Sequence, residues 1–121
     1  MSKLENVEAI VIKFLSDNQD FAVFADKPKN PPKQYILVER EGGGREYLGV
    51  LDMASIRIAV YSKNSRLEAS EQANVVADMI HKIAEEYDDI TRSKVNSVVQ
   101  LDDTLTQTWR YEVFADVYHR R

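Results

Sequence analysis

Two histidines, twenty acidic side chains and no cysteine are all that this 121-residue chain offers for proton transfer, metal binding or nucleophilic attack. A nucleophilic triad would have to be built on serine, yet no serine lies in a Gly-x-Ser-x-Gly turn. No His-x-x-x-His or His-Glu pattern presents adjacent imidazoles to zinc. His81 falls in a helical pattern and reads as a partly exposed flank residue, and His119 stands third from the end. Acids cluster at Glu85-Glu86 with Asp88-Asp89, and at Asp102-Asp103. Paired carboxylates bind metals or share a proton, but the first group ends a predicted helix and the second a predicted turn, where solvated acids are ordinary. At a helix end they also oppose the macrodipole, which points to solvent or a cationic partner. The expectation is a non-enzyme with no catalytic residues, no metal and no cofactor.

The stretch EREGGGREYLG, residues 39–49, raises a different possibility. Three of the chain's four glycines stand together at 42–44, although glycine loses the most backbone entropy on folding. Phosphate-cradling loops lead from a strand into a helix N-terminus, where backbone N–H groups converge on the anion. Here the glycines lead from one strand pattern to another, with no Lys-Ser/Thr behind them. That leaves a flexible hairpin tip, or an arm flanked by Arg40, Arg45 and Glu46 that a partner orders. Such ordering costs entropy that the contact must offset.

The elements that carry these residues follow from periodicity. Leu4, Val7, Ile10, Val11, Phe14 and Leu15 form one helical stripe. Ser2 and Glu5 suit a capping box, and the helix should stop near Asp17-Asn18. FAVFAD (21–26) predicts a short strand or edge segment, and KPKNPPK (27–33) an extended connector holding all three prolines. QYILVERE (34–41) alternates with Ile36 and Val38 on one side and Tyr35, Leu37 and Glu39 on the other. MASIRIAVY (53–61) alternates with Ile56, Ile58 and Val60 opposed to Ser55, Arg57, Ala59 and Tyr61. The two predict an antiparallel hairpin with a long connector at about 42–52, unless Tyr47, Leu48, Val50 and Leu51 extend its strands. Leu67 to Tyr87 carries a helix of about six turns, capped by Asn64 or Ser65 with Glu68 completing a box. KVNSVVQL (94–101) and residues 107–119 predict a closing hairpin, with Asp102-Asp103 in its turn. The expected architecture is a single α+β domain over residues 1–121: a mainly antiparallel sheet with two helices packed on one face, in the order α-β-β-β-α-β-β.

On the sheet's other face the pattern puts Arg57, Tyr61, Arg110, Phe114 and Tyr118. Basic residues interleaved with aromatics can stack single-stranded nucleic acid, but Glu112 and Asp116 share that face. A protein interface, enriched in aromatics and arginine, is the competing reading, and a plain solvated face a third. The formal charge of −4 weighs against a general nucleic-acid binder. The longest apolar run is five residues, Phe21–Ala25, so no membrane span is expected. MSKLENVEAIVIKFL lacks the apolar stretch and cleavage site of a signal peptide, and the absence of cysteine suits a reducing cytoplasm.

Taken in order, the helix, the Pro-rich connector, QYILVEREGGGRE, and then ASIRIAVYSKNSRLEASEQANVVADMI resemble the tail terminator (tail completion) proteins of long-tailed bacteriophages and prophages. The likeness is concentrated in residues 31–81. It implies an α+β protomer that assembles as a ring, typically a hexamer, at the head-proximal end of the tail tube. There it stops tube polymerisation and offers the surface that joins the head. Implied partners are copies of itself, the major tail-tube protein and a head-completion or connector protein, with DNA only passing through the lumen. Implied location is the virion's tail neck, after assembly in the host bacterial cytoplasm. The glycine segment (Arg40, Gly42, Gly43, Gly44, Arg45, Glu46) and the aromatic-basic face (Arg57, Tyr61, Arg110, Phe114, Tyr118) are the candidate contacts. Another neck or head–tail connector protein, or a small nucleic-acid-binding module using the sheet face, is the alternative.

Overall fold

The computed structural model describes residues 3–46, 51–102 and 108–120. The chain runs α1 (Lys3–Asn18), β1 (Ala22–Phe24), β2 (Gln34–Glu46), β3 (Leu51–Ser62), α2 (Arg66–Glu86), β4 (Ile90–Gln100) and β5 (Trp109–Arg120). The fold is α+β in the expected order. The five strands form one sheet, β1-β2-β3-β5-β4, antiparallel throughout except for the parallel β1–β2 pair.

Both helices cover the same face. Val7, Val11, Phe14 and Leu15 of α1 and Ala73, Val76, Ile80 and Ile83 of α2 share one core with Ile36, Val38, Ile56, Ile58, Val60, Val113 and Val117 of the sheet. The small side chains of α2, Ala69 and Ala73, are completely buried, so this helix lies close to the strands. Lys13 and Asp17 pair at 2.9 Å on the solvent side of α1, which raises the lysine's pKa. Asn18 ends the helix by donating its side-chain amide to the Phe14 carbonyl at 2.8 Å. The expected cap at Ser2 lies outside the described residues.

Ser65 caps α2 by accepting the Glu68 N–H at 3.0 Å. The other half of the expected box is replaced by a longer-range arrangement. The Glu68 carboxylate accepts from Gln34 at 2.5 Å, Ser62 at 3.0 Å and Asn64 at 3.2 Å, tying α2 to β2 and β3. These bonds, Gln34 first and opposed by desolvation, hold its pKa below the ordinary 4.5. A depressed acid contributes stability that is complete above the unfolded pKa and is lost as pH falls through the folded value. Glu68→Ala is therefore expected to lower the thermal midpoint at pH 7 and to flatten the loss of stability below about pH 4.5. Midpoints measured across pH 2.5–7 check this, and an unchanged acid limb would contradict it.

Three boundaries differ from the sequence expectation. β2 runs through the glycines to Glu46 and β3 begins at Leu51, so the hairpin is long and its glycines are paired, not looped. Tyr47, Leu48 and Val50 lie outside the described residues, as does Asp103. A β-bulge between Arg40 and Gly42 absorbs Glu41 and reverses the alternation beyond it. Finally, β4 starts at Ile90, not Lys94, because a second bulge between Ile90 and Arg92 hides the alternation while Ile90 itself is buried opposite His119.

Candidate assembly surfaces

On the helix-free face, cross-strand register arranges the side chains in rows. The first row runs Tyr35, Tyr61, Arg110. The two tyrosine rings stack with centroids 4.5 Å apart and planes 5° from parallel, and the Arg110 guanidinium lies 5.8 Å from the Tyr61 ring. The second row runs Phe24, Leu37, Ala59, Glu112, Val99. Tyr35, Leu37 and Ala59 are buried in a small apolar cluster with Phe24 and Tyr61 packed against it. The third row runs Glu39, Arg57, Phe114, Ser97.

Ion pairs lace these rows together. Arg57 bonds Glu39 and lies 3.2 Å from Glu41, two residues that share this face by the ordinary alternation of a strand. The Glu39 bond, opposed by desolvation, raises the already high pKa of Arg57, with Glu112 and Glu41 adding to the effect. Arg110 donates to the Leu101 carbonyl at 2.9 Å and stands 3.9 Å from Glu112. Glu112 is buried at 5% exposure, with Arg110 3.9 Å away and the Arg57 charge also acting on it. Arg57→Met is expected to cost about 1–2 kcal/mol by leaving that carboxylate with less compensating charge. Urea unfolding tests this, and Glu112→Gln in the same background should recover part of the loss.

Further along, Asp116 accepts from Ser55 at 3.1 Å and from Asn96 at 3.1 Å, and Arg92 lies 5.4 Å over the Tyr118 ring. The five residues expected on this face, Arg57, Tyr61, Arg110, Phe114 and Tyr118, are therefore together on it, all half-buried.

The glycine segment divides between the two faces. Gly42 and Gly44 fall on outer rows, opposite Ser55 and Met53. Gly43 falls on the helix-side row with Ala54 and Val117, both completely buried. Arg45 shares a row with Asp52 and His119, and Arg40 shares one with Ile56. The Arg40 backbone N–H donates to the Glu8 carboxylate at 3.2 Å, bringing α1 onto β2. His81 is exposed on α2.

Sequence reasoning missed three groups. The cluster of Tyr35, Leu37 and Ala59 was foreshadowed by apolar residues at both parities of QYILV. Glu112 and His119 gave no local signal of burial, since register alone sets them under their neighbours. His119 is 1% exposed, its Nε2 without a hydrogen-bond partner, opposite buried Asp52. Among the described residues no group of three His, Asp or Glu could hold a metal ion, and no helix is long and apolar enough to cross a membrane.

Among solved structures, this fold is shared with a chain from the "Virion of native gene transfer agent (GTA) particle", with a TM-score of 0.67 over 98% of this chain and 90% of that one. Sequence identity is 12%, so the likeness is one of fold. No family model matches the chain and no curated protein matches it in sequence.

Proposed function

We propose that this chain is a structural protein of a phage-like particle, acting as a tail terminator: a ring at the head-proximal end of the tail tube that stops tube growth and presents the surface joining the head. The observation that carries the reading is the end-to-end fold likeness to a chain of a virion particle, reached independently of the motif resemblance in residues 31–81. The molecule's own chemistry is compatible. Its polar side chains are committed to one another across a broad sheet face, an arrangement suited to docking on other proteins and not to turnover of a substrate.

Ring assembly requires heterologous contacts, in which one patch meets a different patch on the next copy. The proposed partners are other copies of this chain, six in a ring, then the tail-tube protein on one side and a head-completion or connector protein on the other. The site is the virion neck, filled during assembly in the host cytoplasm. Native mass spectrometry of the purified chain is expected to show a closed oligomer, six being the number proposed. A monomer at every attainable concentration, or a gene lying away from tail-tube and head-connector genes, would count against the reading.

One observation favours a second reading. Half-buried Tyr61, backed by Tyr35 and beside Arg110, resembles a platform for bases. Against it, Arg57 and Arg110 already face Glu39, Glu41 and Glu112. Arg110→Ala is expected to leave any weak binding of single-stranded oligonucleotide unchanged within about twofold. A loss of tenfold or more, with a steep salt dependence, would favour the platform.

A further inference from the structure

The sheet has two open edges, and they are unlike. On one side lies β4, eleven residues long, with no strand beyond it among the described residues. On the other, β1 pairs only with Tyr35–Leu37 and Glu8 of α1 takes the Arg40 N–H, so from Gly42 to Glu46 the outer edge of β2 has no strand partner among the described residues. Open edges expose backbone donors and acceptors and invite pairing, which proteins ordinarily prevent with charge, bulges or short strands. The first half of β4 carries bulges together with Arg92 and Lys94. Its second half is uncharged but lies level with Leu37 and Ile36, where β1 covers β2, so an in-plane neighbour meets β4 through the Arg92–Lys94 half, whose two basic side chains keep it from pairing with itself.

We infer that the outer edge of β4 in one copy pairs antiparallel with the Gly42–Glu46 half of β2 in the next copy, continuing the sheet from protomer to protomer. This rests on the proposed ring and names its contact.

Four observations fit together. Direction is the first: each step from β2 through β3 and β5 to β4 is antiparallel, so β4 runs opposite to β2. A copy added in the plane of the sheet thus meets β4 in antiparallel orientation. Level is the second: Gly44, Met53, Tyr118 and Arg92 share one row, and Gly42, Ser55, Asp116 and Lys94 another. In-plane continuation at the same level sets Arg92 and Lys94 opposite the neighbour's glycines, about 4.8 Å away across the new ladder. Charge is the third. β4 has two basic residues and no acid, whereas the Gly42–Glu46 segment carries Arg45 and Glu46, one of each sign, and follows Glu41. A β4–β4 pairing would bring two basic strands together instead. The last is the glycines themselves. Gly42 and Gly44 fall on outer rows without a Cβ, leaving room for the long side chains of a neighbouring strand. The contact is heterologous, since β4 meets β2 and never itself, which is the kind that closes rings.

The chain's lack of cysteine allows a clean test. Four variants, G42C, G44C, R92C and K94C, are made singly and mixed in pairs under mild oxidation. Directly opposed positions bring Cβ atoms to about 4.5–5.5 Å, within reach of a disulfide after small adjustment. Expected is a disulfide dimer from G44C mixed with R92C, or from G42C mixed with K94C, that neither partner forms alone. The double variant G44C/R92C should give a ladder ending at the ring number. A second measurement needs no glycine change: R92E/K94E, both on the exposed face of β4, should weaken assembly at least tenfold while the chain stays folded by circular dichroism.

A ring in native mass spectrometry, with no mixture-specific dimer and no effect of R92E/K94E, would overturn the edge pairing and leave the terminator reading standing. Cross-linking of N96C with itself would replace it by a two-fold β4–β4 contact. A wild-type chain that stays monomeric at every concentration, together with cysteine variants that form none of these dimers, would overturn both.

Discussion

Replacing Ile58 by alanine is expected to lower the unfolding free energy by about 2–5 kcal/mol, a large part of the roughly 5–15 kcal/mol that holds a domain of this size together. Ile58 is completely buried in the middle of β3, the central strand, between Val38 on β2 and Val113 on β5. Removing its branched side chain forfeits the transfer free energy of the lost atoms. It also leaves a cavity that a sheet clamped by two helices can collapse only partly. The control is Val98→Ala, at the edge and 39% exposed, for which a change within about 0.5 kcal/mol is expected. Urea denaturation of both variants, with an unchanged slope, checks the comparison. Equal effects at the two positions would mean that the centre of the sheet is not the centre of the core.

The second large effect concerns assembly. Deleting Gly42–Gly44 is expected to leave a folded monomer and to reduce ring formation by more than about 100-fold, corresponding to some 3 kcal/mol of lost contact energy. Residues 34–40 keep their register with β3, and with it most of the core. Beyond them the strand loses an odd number of residues, so the pairing of its end with β3 shifts and the edge offered to a neighbour is rebuilt. Sedimentation velocity and native mass spectrometry read the outcome, and rings forming as in the wild type would remove the glycine segment from the interface.

Single substitutions separate the two roles of this segment. Gly43→Val adds bulk to the row of Ala54 and Val117 beneath the helices, so a loss of about 1–3 kcal/mol in stability is expected from overpacking. Gly44→Val adds it to an outer row, so assembly should suffer and stability change little. If the two variants behaved alike, the bulge at Glu41 would not be setting the faces as described.

Much of the fold was legible because its signals are local. A three-and-four spacing marks α1 and α2, and a two-residue alternation marks β2, β3 and β5, since burial on one side of an element repeats with that element's own period. Ser65 announces the start of α2 in the same local way. The outer face was legible too: Arg57, Tyr61, Arg110, Phe114 and Tyr118 are brought together because alternation on two adjacent strands is enough to place them.

The glycine segment was read less well, and the reason is the bulge. One extra residue at Glu41 is invisible in the sequence, yet it moves Gly43 onto the helix-side row with Ala54 and leaves Gly42 and Gly44 on outer rows. Burial of Glu112 and His119 was likewise beyond the local pattern. Both lie on β5, whose two neighbours in the sheet, β3 and β4, include one that is some fifty residues away in the chain.

By itself, then, the sequence determined which segments are helical or extended, which sides of them are apolar, and that they combine as α+β. These are properties of neighbouring residues competing for burial and backbone hydrogen bonds. The tertiary structure alone decided the strand order, the parallel placement of β1, the positions of the bulges and hence which two edges remain open. Those depend on pairings between residues far apart in the chain, whose free energy is settled only when the whole sheet closes on its helices.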